Sequence, residues 1–234
     1  MTTVAVVGAT GRFGTQIVRV VEAMDGFEIV ARLNSQSDLS EIDGADLVID
    51  ASRHDVSDAV LDRAVSNGQR ILIGTSGWSA ATLEAKNLPA TAAVTIIPNF
   101  SIGSTVATHV SAIVARYIPN ARIDETHNIT KVDAPSGTST HTAEAIAAAR
   151  TAEPNQPATT PTDHIVAGVP ITSHRLPDAI AEQVVTFEGD GETVSIRHET
   201  SSRDSYDAGI AASVRFAATS AGVTIGLDRV MGIQ

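Results

Sequence analysis

His127 and Lys131 stand four residues apart at the end of a strand-like run, residues 123–129, so a loop can turn both toward one cavity. An imidazole titrates near neutrality and exchanges a proton, and an ammonium group donates one and pairs with a carboxylate. Pro135, Ser136, Gly137 and Thr138 follow and open a helix, where free backbone N–H groups and a Thr hydroxyl make an anion site. A cation, a proton donor and a helix start suit a small carboxylate substrate. The residues alone leave a second reading open, with His127 a satisfied structural histidine and Asp133 to Gly137 an ordinary turn with an Asx cap.

A second chemical segment lies at the other end of the chain. Gly8-Ala9-Thr10-Gly11-Arg12-Phe13-Gly14 directly follows the β-branched run Val4 to Val7 and opens a helix over 15–24. Glycines there let the backbone turn sharply and approach a pyrophosphate, which sits against the free amides of the helix start. The second strand should bring a ribose-binding residue about 20 positions on. The chain reads Arg32-Leu33-Asn34-Ser35 at that point, with no acidic group to repel a 2′-phosphate. NADPH is therefore admissible beside NADH, and is the preferred expectation. Arg12 either meets that phosphate or is a solvated helix residue.

These segments need a scaffold. Residues 27–31, 47–50, 70–73 and 94–97 read as further strands, and 56–66 as a helix stopped by Gly68. Strand–helix alternation of this kind predicts an α/β fold, a Rossmann-type doubly wound parallel sheet with helices on both faces. After Asn99 the pattern changes. Helices are expected over 104–117, 138–150 and 205–217, a Pro/Thr-rich loop over 153–163, and strands over 165–174, 180–188 and 193–199. The turn Gly189-Asp190-Gly191 signals a hairpin, so this second, α+β part should carry an antiparallel or mixed sheet.

Composition removes several classes. A net charge of −11 argues against nucleic-acid binding, which needs clustered Lys and Arg, and Lys86 and Lys131 are the only lysines. No cysteine is present, which excludes disulfides, thiolate nucleophiles and Cys-ligated zinc, and no His/Asp/Glu spacing suggests another metal. No secretory leader and no apolar run of membrane-spanning length is seen, so a soluble cytoplasmic protein is expected.

Residues 125–138 resemble the signature of the 4-hydroxy-tetrahydrodipicolinate reductase (dihydrodipicolinate reductase) family, E-x-H-H-x-x-K-x-D-A-P-S-G-T, with Asn128 in place of the second His. The likeness runs along nearly the whole chain. Gly8 to Gly14 matches the N-terminal glycine motif, Gly74-Thr75-Ser76-Gly77 resembles G-T-T-G, Pro98-Asn99-Phe100-Ser101 is P-N-F-S, and Ser201-Ser202-Arg203 fits the C-terminal region. The resemblance implies reduction of a cyclic imine dicarboxylate, giving tetrahydrodipicolinate in the diaminopimelate/lysine pathway. His127 would be the general acid/base and Lys131 the proton donor that also holds substrate, with Asn128, Gly137 and Thr138 at the substrate carboxylates. The cofactor would lie along Gly8, Ala9, Thr10, Gly11, Arg12, Phe13, Asn34, Gly74, Thr75, Ser76, Ile97, Pro98, Asn99 and Phe100. It further implies a nucleotide-binding domain of residues 1–102 and 207–234, a substrate-binding and oligomerisation domain of 103–206, and a homotetramer built through the latter's sheet.

Departures accompany the likeness. Asn128 can hydrogen-bond a carboxylate but carries no charge. Asp50-Ala51-Ser52 stands where the family usually has D-F-T, and His54 replaces a proline. The chain is shorter around 153–163 and 177–183. These differences keep a reductase of another cyclic imine, and a nucleotide-binding homologue without activity, as alternatives.

Overall fold

A computed structural model describes residues 1–78, 80–152 and 164–233, so the predicted 153–163 loop lies outside the described residues. The chain forms two compact units, residues 1–100 with 206–234, and residues 101–205.

In the first unit, strands β1 (Thr2–Val7), β2 (Phe27–Leu33), β3 (Leu47–Asp50), β4 (Arg70–Ile73), β5 (Ala93–Ile96) and β11 (Gly222–Ile225) make one sheet in the order β11-β5-β4-β3-β1-β2. Every pairing is parallel. Continuous apolar runs suit strands covered on both sides. Val4, Ala5, Val6, Leu47, Val48, Ile49, Ile71, Leu72 and Ile73 are all fully buried. One face packs Ala5, Val48, Ile71 and Val94 against Val60, Leu61 and Ala64 of α2 (His54–Ser66). Helices α1 (Arg12–Glu22) and α6 (Asp207–Ala217) pack on each other, and α6 also lies against β4 and β5. Gly68 has φ 68° just past α2 and ends it in the left-handed conformation. The short helices α3 (Ala80–Glu84) and α7 (Leu227–Met231) complete this unit. Strand order reverses between β1 and its neighbours β2 and β3. A crevice at such a switch point, outside the carboxyl ends of the strands, is where doubly wound sheets take ligands.

The second unit holds α4 (Ile102–Ala115), β6 (Ala121–Asn128), α5 (Gly137–Ala149), β7 (His164–Val166), β8 (Val169–Leu176), β9 (Ala181–Gly189) and β10 (Glu192–Thr200). Its sheet runs β10-β9-β6-β8-β7, with β6 and β8 parallel and the other pairs antiparallel, as a mixed sheet requires. Alternate residues Ala121, Ile123, Val185, Phe187, Val169 and Ile171 face α4 and α5 and form the core with Ala115, Ala143 and Ile146. The alternate positions, Arg122, Asp124, Thr126, Thr172 and His174, occupy the other face.

Two expectations need correcting. The single strand over 165–174 is a hairpin, because Ala167 (φ 48°) and Gly168 (φ 73°) form a tight two-residue turn between β7 and β8. The first helix begins at Arg12, three residues before Thr15, which places Arg12, Phe13 and Gly14 inside its first turn.

Candidate active site

At the carboxyl end of β1, Gly8 has φ 81°, and a Cβ there would lie 2.5 Å from the Ala51 carbonyl oxygen. A Cβ on Gly14 would fall 2.0 Å from the Gly8 oxygen. Glycine at both positions is therefore required by close backbone approach, which is also why the helix can start as early as Arg12. Gly8 and Ala9 donate their N–H groups to Leu33 O at 3.0 and 2.9 Å, closing the turn onto β2. The N-cap, Gly11, offers no side chain to the helix start. The N–H groups of Arg12, Phe13 and Gly14 meet no acceptor among the described residues, so the positive end of α1 is open to an anion. Arg12 is exposed and has no ion pair among the described residues. Asn34 follows β2, its side-chain oxygen accepting from Gln36 N at 2.8 Å, while Arg32 is bound to Glu22.

Gly74 follows β4, and a Cβ there would press on the rings of Phe13 and Phe100 at 3.0–3.2 Å. Those rings lie 5.1 Å apart at 53°. Thr75 is 6% exposed and its hydroxyl has no hydrogen-bond partner among the described residues. Ile97 is buried and donates to Ile73 O at 2.9 Å, carrying Pro98, Asn99 and Phe100 past the end of β5. The structure thus gathers the expected nucleotide residues on one edge of the parallel sheet. A glycine cradle, open helix amides and an orphaned hydroxyl are what a dinucleotide would fill.

A buried hydrogen-bond relay that sequence reasoning missed lies beside this edge. Asp50, wholly buried, accepts from the N–H (3.0 Å) and hydroxyl of Ser52 and from the Ser57 hydroxyl. Ser57 in turn accepts from the Trp78 indole N–H at 2.9 Å. His54 meets Trp78 edge-on at 6.3 Å and occupies the space over Gly77, whose φ is 102°. Residues that depart from the family pattern thus lie directly against the glycine turns, Ala51 and Ser52 at Gly8 and His54 at Gly77.

In the second unit, β6 ends at Asn128, and the loop after it returns to α5 with a cis Ala134–Pro135 peptide bond. Glu125, fully buried on β6, organises this loop. Its oxygens accept from Ser136 N at 3.0–3.1 Å, the Ser139 hydroxyl at 2.7 Å, the Ser173 hydroxyl at 2.8 Å and Arg175 Nη2 at 3.1 Å. Burial works to raise its pKa, but the Ser136, Ser139 and Ser173 hydrogen bonds outweigh it and hold the carboxyl at about 2. Arg175 also donates to Lys131 O (3.3 Å) and Asp133 O (2.6 Å), which fixes the loop backbone.

His127, two residues beyond Glu125 on the same strand face, has a side chain 15% exposed and a buried Nδ1 with no hydrogen-bond partner among the described residues. Burial is the main influence that lowers its pKa. Lys131 and Arg175 act in the same direction, while Glu125 and Asp133 oppose them. Lys131 is bound through Nζ to both Asp133 oxygens, at 2.8 and 2.7 Å. Ser136 caps α5 by accepting from Ser139 N at 3.2 Å, leaving Gly137 exposed at the helix start. His127, Lys131, Gly137 and Thr138 are therefore brought to one end of β6. Asn128 is placed there too, but its amide is already engaged, donating to Pro177 O at 2.6 Å and accepting from Thr130. Sequence reasoning missed Ser173 and Arg175. The one signal was that they share the inward parity of Val169 and Ile171, where a serine and an arginine stand out.

Comparison with known proteins agrees with both halves. The family model described as dihydrodipicolinate reductase, N-terminus, matches residues 2–100, and that for the C-terminus matches residues 103–231. A 4-hydroxy-tetrahydrodipicolinate reductase of Clavibacter sepedonicus is 42% identical over 243 residues, covering 100% of this chain and 87% of the relative. One of Streptomyces griseus is 38% identical over 246 residues, covering 99% and 98%. A solved dipicolinate-bound dihydrodipicolinate reductase from Paenisporosarcina sp. TG-14 superposes with a TM-score of 0.82 at 28% identity, covering 98% of this chain and 99% of that one. With both of its units matched and full-length relatives this similar, the chain belongs to the dihydrodipicolinate reductase family.

Proposed function

We propose that the chain is an oxidoreductase that converts 4-hydroxy-tetrahydrodipicolinate to tetrahydrodipicolinate, in the diaminopimelate/lysine pathway, at the expense of a reduced nicotinamide dinucleotide. The observation that carries this reading is the meeting of His127, Lys131 and the start of α5 at one end of β6, in a chain of this family. The relative solved with dipicolinate supports a small dicarboxylate as the ligand.

Gly8, Ala9, Thr10, Gly11, Arg12 and Phe13 would cradle the pyrophosphate. Asn34 would meet the ribose, and Gly74, Thr75, Ser76 and residues 97–100 would line the nicotinamide end. Once bound, the nucleotide supplies the hydride. On the other unit, Lys131 pairs with one substrate carboxylate, and the N–H groups of Gly137 and Thr138 take an anionic oxygen at the positive end of α5. Asn128 holds the rim of this site. The 4-hydroxyl takes a proton and leaves as water while the neighbouring ring carbon gives one up, and the conjugated ring so formed accepts the hydride. His127 acts as the acid/base for these proton transfers, and Lys131 donates a proton from its ammonium to the ring as negative charge develops, while fixing the orientation.

NADPH is the preferred nucleotide and NADH is also used. Arg12, an exposed cation without an ion pair among the described residues at the open helix start, supports this, as do Asn34 and Ser35 in place of an acidic residue directly at the end of β2. We place the enzyme in the cytoplasm as a homotetramer joined through the face of the mixed sheet that bears Arg122, Asp124, Thr172 and His174.

The test is a coupled assay that supplies the condensation product of aspartate semialdehyde and pyruvate with either nucleotide. Nicotinamide oxidation with both, at a lower KM for NADPH, is the expected result. Arg12→Ala should raise the NADPH KM about tenfold, as expected for one lost charge-assisted contact, and leave the NADH value unchanged. No oxidation with either nucleotide would overturn the assignment.

A further inference from the structure

We propose that Glu125 is the positioning residue of His127. Its Oε2 keeps the proton on Nδ1, so that Nε2 is the atom that trades a proton with the substrate. This rests on the function given above, which makes His127 the acid.

The geometry leaves Nδ1 one choice. It is completely buried, no group among the described residues bonds to it, and Glu125 Oε2 lies 3.7 Å away. That separation is too long for a hydrogen bond; catalytic contacts of this kind commonly tighten when substrate binds. If Nδ1 were the unprotonated nitrogen, its lone pair would face a carboxylate across a dry gap, an unfavourable arrangement of two acceptors. The Nδ1–H tautomer turns that repulsion into attraction. Glu125 cannot swing away to avoid the contact, since Ser136, Ser139, Ser173 and Arg175 hold both of its oxygens. Nor does it lose its charge at working pH, given the strength of those donors.

The remaining charged groups facing the ring are Lys131 and Asp133 on the loop and Arg175 on β8. Two cations and burial disfavour imidazolium. Of the two anions, Asp133 is bound by Lys131, which leaves Glu125 as the group that keeps the charged form attainable. In the acid step the Nε2–H bond of imidazolium breaks, and the proton passes to the substrate atom that gains negative charge. Neutral Nδ1–H imidazole remains, the form that Glu125 favours, and solvent returns the proton to Nε2.

The tautomer can be read directly. In the full-length protein labelled with 15N-histidine, the His127 signals are identified by their loss in His127→Gln and recorded above the imidazole pKa. A protonated, pyrrole-like Nδ1 and a pyridine-like Nε2 are expected, and the reverse pattern would overturn the proposal. This measurement needs no activity, so it stands apart from the functional assignment: a correct tautomer in a protein that reduces nothing would fault the function and not the pairing. Glu125→Gln keeps the shape and removes the charge. It should move the alkaline limb of kcat/KM to lower pH by about one unit or more, as expected when an anion within ~4 Å is lost, with KM for the nucleotide unchanged. A limb that stays in place would overturn the electrostatic part. Where Glu125→Gln fails to fold, the tautomer of the unmodified protein decides the matter.

Discussion

Replacing Ser57 with Ala removes one oxygen and breaks two hydrogen bonds. The Ser57 hydroxyl bridges Asp50, a carboxylate with no exposure, and the indole N–H of Trp78. A hydrogen bond to a buried charged group contributes about 1.5–3 kcal/mol, and a neutral one about 0.5–1.5 kcal/mol. Asp50 keeps its two bonds from Ser52, and the half-buried indole finds water, so a net loss of about 3 kcal/mol is expected. For a unit of this size that corresponds to roughly 10 °C in melting temperature. Trp78 is the only tryptophan, so its fluorescence follows this unit during urea or thermal unfolding. Trp78→Phe breaks the same bond from the other side; with unfolding of all four proteins of the cycle followed by circular dichroism, the double variant should show coupling of about 1 kcal/mol, as contacting residues do. A Ser57→Ala loss below about 0.5 kcal/mol, with no coupling to Trp78, would refute the relay as a support of this unit.

Further expectations concern the glycine turn of the first unit and the loop after β6 of the second. Gly14→Ala places a methyl group 2.0 Å from the Gly8 oxygen, so the turn must open, and nucleotide affinity measured by fluorescence titration should fall about a hundredfold or more. Lys131→Ala should lower kcat/KM by about 10²–10⁴-fold, the usual contribution of a proton donor, while the nucleotide dissociation constant stays constant. Acid should unfold the second unit early. Glu125 has a folded pKa of about 2, below its ordinary value near 4.5, so its stabilisation is complete above about pH 4.5 and is lost as pH falls toward 2. Circular dichroism across that window should show a transition that shifts to higher pH in Arg175→Met.

What could be read before the structure depended on whether a residue's role is local. The strands at 47–50 and 70–73 have the predicted bounds because uninterrupted Leu/Val/Ile runs between polar residues have one physical outcome. The glycine turn was legible for the same reason, yet the start of its helix was not, because Gly14 looks like a helix breaker until the Gly8 oxygen lies against it. Ala167 in the left-handed region gave no hint of a turn, since alanine has no preference for it. No expectation existed for β11, which pairs with β5 from more than 120 residues away. The same limit hid the supports of the candidate site in the second unit. His127 and Lys131 could be chosen by residue type, but Ser173 and Arg175 matter only because β8 lies parallel to β6 and sets them opposite Glu125 and His127. Likewise Asn128 suggested a ligand contact by its position, and only the fold shows its amide spent on Pro177 and Thr130.

In the role proposed for Lys131, as the holder of a substrate carboxylate, Asp133 is an internal rival for that carboxylate. The Lys131 ammonium is neutralised by a carboxylate two residues away, in a partly exposed contact that water can open. An incoming ligand must displace that side chain, so its gain is the difference between two similar attractions. A molecule with a single carboxylate gains little from the exchange, whereas one whose second carboxylate also reaches the α5 amides gains a contact that Asp133 does not compete for. Selectivity for dianions then follows from a tethered competitor, without any need for a surplus of positive charge in a chain that carries −11 overall.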